Sequence, residues 1–163
     1  MRFLRWLPTL LWMAVIMVLS TDAFSADQTG AVLVPSLRWL APWATPAQIE
    51  MAHAVIRKLA HFGEYAILAT LWFETFQGAP GWSVRRAQWV AFGISVAWAF
   101  LDEAHQATTL TRTASARDVV LDAAGAVSAL ALLAFGSARA QRPSDLQPRV
   151  ERVAQAVAEQ VDP

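Results

Sequence analysis

Three short stretches of the chain hold side chains able to move protons, grip anions or bind cations. The first runs Arg57-Lys58-Leu59-Ala60-His61-Phe62-Gly63-Glu64-Tyr65. On a helix, at about 100° per residue, Lys58, His61 and Tyr65 fall on one face and Glu64 flanks it. The second, Asp102-Glu103-Ala104-His105-Gln106, sets Asp102 and Gln106 one helical turn apart. The third holds Arg112, Arg117, Asp118 and Asp122; Asp118, Asp122, Gly125 and Ala129 then form one helical stripe, acidic above and small below.

These residue types allow several chemistries. Arg112, Arg117 and Lys58 suit a phosphate or carboxylate, arginine because its planar fork grips two oxygens at once, with Asp102, Glu103, Asp118 and Asp122 positioning them. Alternatively His61 is a general base oriented by Glu64, and Asp102 or Glu103 is the acid, so that His61, Glu64, Asp102 and Glu103 are the catalytic candidates of a membrane enzyme. A third possibility is a proton or ion pathway through Asp118 and Asp122, for which Glu74 is the remaining acid toward the other end of its helix. The structural alternative is a network that neutralises itself: Arg57, Lys58, Arg112 and Arg117 nearly balance Glu64, Asp102, Glu103, Asp118 and Asp122. His61-x-x-Glu64 with Asp102 and Glu103 has ligand types for a divalent cation but matches no zinc signature, so neither a metal nor another cofactor is expected. There is no G-x-S-x-G, no P-loop and no G-x-G-x-x-G, so whether the chain is an enzyme stays open. His53 and His105 read as interfacial or loop residues, and Ser128 as packing.

The elements that must position these residues read as membrane helices. Of 163 residues, 56% are hydrophobic and 16% charged, against roughly 25% charged in soluble domains; the mean hydropathy is +0.36. Formal net charge is +0, which leaves no basic field for nucleic acid. The absence of cysteine excludes disulfides and thiolate chemistry. Apolar stretches at 3–20, 62–76, 87–101 and 119–135 predict four spans at about 3–20, 56–77, 86–106 and 118–136. The expected fold is therefore an all-α, integral membrane four-helix transmembrane bundle. Its domain would be 1–136, followed by a polar, weakly amphipathic tail at 137–163. The first stretch also resembles a signal peptide, with Arg2 and Arg5 ahead of an apolar run and small residues after it; an uncleaved anchor fits the rest of the chain better.

Between the first two spans, Trp39, Trp43 and three prolines predict a short interfacial segment. Thr45-Pro46-Ala47-Gln48 then signals a helix start with a capping box, and the helical pattern runs to Gln77, where Gly78 and Pro80 stop it. That helix exceeds a bilayer core of about 30 Å, so its first turns must lie outside the hydrocarbon. Four spans place both termini on one side. A cytoplasmic N-terminus puts Arg2, Arg5, Arg85, Arg86, Arg139 and Arg142 inside against Arg38, Arg57, Lys58, Arg112 and Arg117 outside, a narrow excess in its favour. The polar stretches then face away from the termini.

The same three stretches, in the same order and spacing, closely resemble the VanZ-like family: Arg57-Lys58-Leu59-Ala60-His61-Phe62-Gly63-Glu64-Tyr65-Ala66, then Asp102-Glu103-Ala104-His105-Gln106, then Arg112-Thr113-Ala114-Ser115 with Asp118, Asp122, Gly125 and Ala126. Ser20-Thr21-Asp22 is also similar to the family pattern. The resemblance implies a small multi-pass protein of the plasma (inner) membrane, whose founding relative is linked to resistance to the glycopeptide teicoplanin. The family label supplies no biochemical activity; it is the polar cluster that leads to membrane lipid as an expected partner and, as candidate ligands, a glycopeptide, a cell-wall precursor or a lipid headgroup, bound through Lys58, His61, Glu64, Tyr65, Asp102, Glu103, Gln106, Arg112, Arg117, Asp118 and Asp122. The loop at 106–112 departs from the family in lacking an aromatic residue and a Pro-Gly or Pro-Ser ahead of Arg112. Oligomeric state is left open.

The sidedness is directly testable, because the chain has no cysteine of its own. In intact cells a membrane-impermeant maleimide is expected to label Thr109→Cys and not Ala140→Cys; the reverse pattern places the polar stretches in the cytoplasm.

Overall fold

The computed structural model describes residues 3–108 and 115–136. Arg112 and the polar tail at 137–163 lie outside the described residues. The described chain is all-α, with α1 (Leu7–Leu19), α2 (Ala26–Leu40), α3 (Pro46–Gln77), α4 (Val84–Gln106) and α5 (Ala116–Gly136), plus 3-10 turns at Phe3–Arg5 and Asp22–Phe24; no strand occurs among the described residues. Residues up to Leu130 form one compact unit, to which the packing below belongs.

Local signals start and stop the helices. At α3 the Thr45 hydroxyl accepts from the Gln48 N–H at 3.4 Å while the Gln48 side chain accepts from the Thr45 N–H at 2.8 Å, a complete capping box. Ser83 caps α4 by accepting from the Arg86 N–H at 3.3 Å, and Ser25 caps α2 by accepting from the Gln28 N–H at 3.4 Å. Gly78 ends α3 while still right-handed, its N–H bonded to the Glu74 carbonyl; the left-handed turn into α4 falls to Gly81, at φ +82°.

The stretch predicted only as interfacial contains a 15-residue helix, α2, with Pro35 inside it. Tertiary contacts hold that helix in place. Gly30 brings its backbone so close to α3 that a Cβ there would lie 3.3 Å from the His53 ring, and Thr29 hydrogen-bonds that ring at 3.3 Å. His53 is thus a buried residue on a helix packed under α2, and His105 also sits within a helix, α4; neither is a loop residue. The first turns of α3, too long for a bilayer core, are the part that α2 covers.

α3 is the central helix, packed against α1, α2 and α4. Against it α4 lays a row of small residues one turn apart, Ala87, Ala91, Ser95 and Ala99, all fully buried. Small residues let backbones approach closely, which compensates for the weak hydrophobic drive between helices in lipid. α5 comes closest of all: a Cβ on Gly125 would collide with the Phe62 carbonyl of α3. At the opposite end of α3, Trp6, Trp72, Phe76 and Trp82 form an aromatic cluster, with Phe76 and Trp82 stacked at 4.4 Å. The buried hydroxyls of Thr9 and Thr75 pair there at 2.9 Å. Ser128, read as packing, is exposed.

Among the described residues α5 alone is long and apolar enough to cross a membrane, and α1 with the segment Asp22–Leu40 would make a second span bent by 75°. α1 has 13 residues, or about 20 Å at 1.5 Å each, short of a 30 Å core. α3 and α4 have the length, with 32 and 23 residues, but charged side chains interrupt their apolar surface.

The close approach of α5 sets a stability test. Gly125→Ala is expected to cost about 1–3 kcal/mol through overpacking against backbone, whereas Gly63→Ala meets nothing within 4 Å and should leave thermal stability in detergent unchanged or raised. Equal melting of Gly125→Ala and the wild type would refute the close seating of α5 on α3.

Candidate functional site

The three polar stretches converge where the middle of α3, the C-terminal end of α4 and the N-terminal end of α5 meet. Each contributes through a different physical constraint. On α3, His61 and Tyr65 are one turn apart, and Tyr65 is completely buried. On α4, Asp102, Glu103 and Gln106 are buried at 1%, 6% and 4% exposure. On α5, Asp122 has no exposed surface at all. Gly125, one turn beyond Asp122, is the reason: with no side chain between the helices, the carboxylate is pressed against α3.

The contacts partition these groups. Gln106 Nε2 donates to Asp102 Oδ2 at 3.0 Å within α4. Glu103 Oε2 accepts from the Ser115 backbone N–H at 2.6 Å, which ties the end of α4 to the residue before α5. His61 Nδ1 lies 3.7 Å from Asp122 Oδ1. Lys58 pairs with Asp118 at the rim, where the lysine side chain is half exposed; a pair this exposed contributes about 0–1 kcal/mol. Arg117 is exposed, and its backbone N–H donates to the Ser115 hydroxyl at 3.3 Å.

What is left over matters more than what is paired. Among the described residues the Tyr65 hydroxyl, Asp102 Oδ1, Glu103 Oε1 and both Asp122 oxygens are buried without a hydrogen-bond partner. The Tyr65 hydroxyl lies within electrostatic range of Asp102, Asp122, Glu64 and Glu103. Leaving a buried polar group unsatisfied costs about 1–3 kcal/mol, more when it is charged. A network present only to fix helix register would spend these atoms on one another. Among the described residues the inner atoms are largely acceptors, and the cations Lys58 and Arg117 are exposed.

Of the residues singled out from sequence, Lys58, His61, Tyr65, Asp102, Glu103, Gln106, Asp118 and Asp122 are brought together. Glu64 lines, together with His61, a cavity on the α1–α2 side of α3, and its backbone carbonyl accepts from Trp12 Nε1 of α1 at 2.9 Å. Arg112 lies outside the described residues. Sequence reasoning set Glu64 beside His61 and missed Asp122 as its neighbour; it also missed the Ser115 N–H as the partner of Glu103. The Gly125 stripe was the available signal for the first, since a small residue one turn from an acid marks close approach. No group of three His, Cys, Asp or Glu able to hold a metal ion is formed among the described residues.

Fold and site together define an all-α protein with a buried, under-satisfied polar cluster where three helices meet. Residues 5–136 match the family model VanZ/LLP1, and the chain belongs to the VanZ/LLP1 family. No curated protein and no solved structure matches it.

If the unsatisfied atoms serve a ligand rather than the fold, removing one should not harm the apo protein. Tyr65→Phe is expected to melt in detergent at or slightly above the wild-type temperature. A loss above about 1 kcal/mol, comparable to a lost buried hydrogen bond, would show that the hydroxyl supports the fold.

Proposed function

We propose that this VanZ/LLP1-family chain is a multi-pass integral membrane protein of the cell envelope that binds a glycopeptide, a cell-wall precursor or a lipid headgroup through the cluster around Tyr65, Asp102, Glu103 and Asp122. In this reading α1, α3, α4 and α5 are the four spans, residues 1–136 the membrane domain, and both termini cytoplasmic, with the cluster on the opposite side of the plasma membrane. Large apolar side chains exposed along these helices support the membrane assignment: Leu10 and Leu11 on α1, Leu59 and Ile67 on α3, Trp89 and Phe100 on α4, Val120 and Val127 on α5. Apolar surface of this extent is stable only against lipid or a partner.

The observation that carries the binding role is the set of buried oxygens on three helices that have no hydrogen-bond partner among the described residues. They suit a ligand rich in N–H and O–H donors, as peptide, sugar and amine groups are. The rim cations Lys58 and Arg117, with Arg112, suit the phosphate or carboxylate that such envelope compounds carry. Ionisable groups at membrane depth are costly and therefore mark function by default.

A second reading, catalysis, is favoured by one contact: His61 Nδ1 sits 3.7 Å from the fully buried Asp122. A small turn of the ring would bring Nδ1 into a hydrogen bond with that carboxylate, the orienting contact a general base needs. His61 would then take a proton from water or a hydroxyl of an envelope lipid or peptide, with Glu103 or Asp102 as acid.

Binding is tested with purified protein in nanodiscs titrated with a lipid-linked cell-wall precursor and with teicoplanin. Asp102→Asn and Arg112→Ala are each expected to weaken binding about tenfold or more, the worth of one charge-assisted contact. Unchanged affinity and unchanged glycopeptide susceptibility in both variants would end the binding reading. Product formation from the precursor that disappears in His61→Ala would select the catalytic one.

A further inference from the structure

His61 faces two ways. Its ring nitrogen Nδ1 approaches Asp122 on the α5 side, and the same residue lines a cavity of about 160 Å³ on the α1–α2 side. Leu33 and Ile56 supply apolar wall, while Thr29, Arg57, His61 and Glu64 supply the polar part. At about 30 Å³ per water, the space takes a phosphate with a glycerol-sized group and no more, so any longer apolar chain must continue outside.

Arg57 is the strongest group in this wall. Its Nη1 donates to the Phe24 carbonyl at 3.2 Å and to the Thr29 hydroxyl at 3.0 Å, which fixes the plane of the guanidinium. Among the described residues the donors on Nε and Nη2 carry no such bond. A guanidinium oriented by two bonds, with a free edge left over, is pre-organised for a two-oxygen anion. Glu64 lies seven residues on, about 10 Å along the helix. It repels an anion from the inner end and so confines one to the Arg57 end.

The surroundings say which anion. α2 leaves α1 at 75°, and Trp39 and Trp43 at its end are each 81% exposed. In the membrane reading above, a helix turned off a span with exposed tryptophans at its end belongs in the headgroup layer of a bilayer. The cavity beneath it therefore opens where lipid headgroups are.

We propose that this cavity is the entry pocket of the candidate site and that its occupant is an anionic lipid, with the phosphate on the free edge of Arg57, the glycerol portion against His61, and the acyl chains leaving past Leu33 and Ile56. The inference rests on the membrane-site reading above and narrows it to a ligand class and a place. His61 becomes the wall between the bound lipid and the carboxylates.

The test uses full-length protein in detergent micelles, titrated with phosphatidylglycerol, phosphatidylcholine or glycerol 3-phosphate and followed by thermal melting and native mass spectrometry. Phosphatidylglycerol is expected to raise the melting temperature and remain bound, and the other two to do neither. Arg57→Gln should weaken that binding about tenfold, and Leu33→Trp, which fills the cavity, should abolish it. Equal binding of phosphatidylcholine overturns the role of Arg57, and glycerol 3-phosphate binding as tightly as the lipid overturns the lipid as occupant. Phosphatidylglycerol binding that survives Leu33→Trp while Asp102→Asn still weakens precursor binding refutes the pocket and leaves the carboxylate cluster standing. The opposite pattern refutes the cluster and retains the pocket.

Discussion

Gly125 of α5 rests on the backbone of α3 at Phe62, and the polar end of the molecule follows from that approach. One turn before Gly125, Asp122 is carried into complete burial beside His61; one turn earlier, Asp118 meets Lys58 at the rim. The approach also brings Ser115, just ahead of α5, to the Glu103 carboxylate at the end of α4. A side chain at position 125 would separate the two helices and admit water between them. Carboxylates that now sit in a medium of low dielectric would then be solvated and ordinary.

The cost of that burial is not fully offset within the described residues. Oxygens of Asp102, Glu103 and Asp122 and the Tyr65 hydroxyl remain without hydrogen-bond partners. Elsewhere Ser25, Thr45 and Ser83 cap α2, α3 and α4 and Thr9 bonds Thr75, while single buried polar atoms of Arg5, Ser20, Trp72, Gln77, Trp98 and His105 also lack a hydrogen-bond partner among the described residues. What sets the cluster apart is that its unpartnered atoms are carboxylate oxygens and a hydroxyl gathered from three helices, where a ligand able to donate hydrogen bonds would gain the most.

α3 connects the two sides of the site. It is held at one end by stacked rings and at the other by the covering helix α2, and its middle turn carries side chains in opposite directions. Tyr65 and His61 Nδ1 face α4 and α5, whereas Arg57 and Glu64 face the corner between α1 and α2. His61 lines the cavity and approaches Asp122, so it lies between the two.

What was legible in the residues was local. The capping box at Thr45, the stop after Gln77, the all-helical periodicity and the crowding of acids and cations at particular helix ends all depend on neighbours within one turn, which sequence spacing reports directly. The family pattern was legible for the same reason, as three ordered blocks of residues. The helical state of 26–40 was not, because Pro35 and Gly30 argue against a helix that only its packing on His53 and Arg57 sustains. Nor was the pairing of His61 with Asp122, or of Glu103 with the Ser115 N–H. These partners are far apart in the chain and belong to different helices, so no spacing rule joins them. The sequence by itself determined which chemical groups stand at which turn of which helix. Only the tertiary structure decided which of them touch, since that is set by how closely the helices can approach, and here a glycine against a carbonyl sets it.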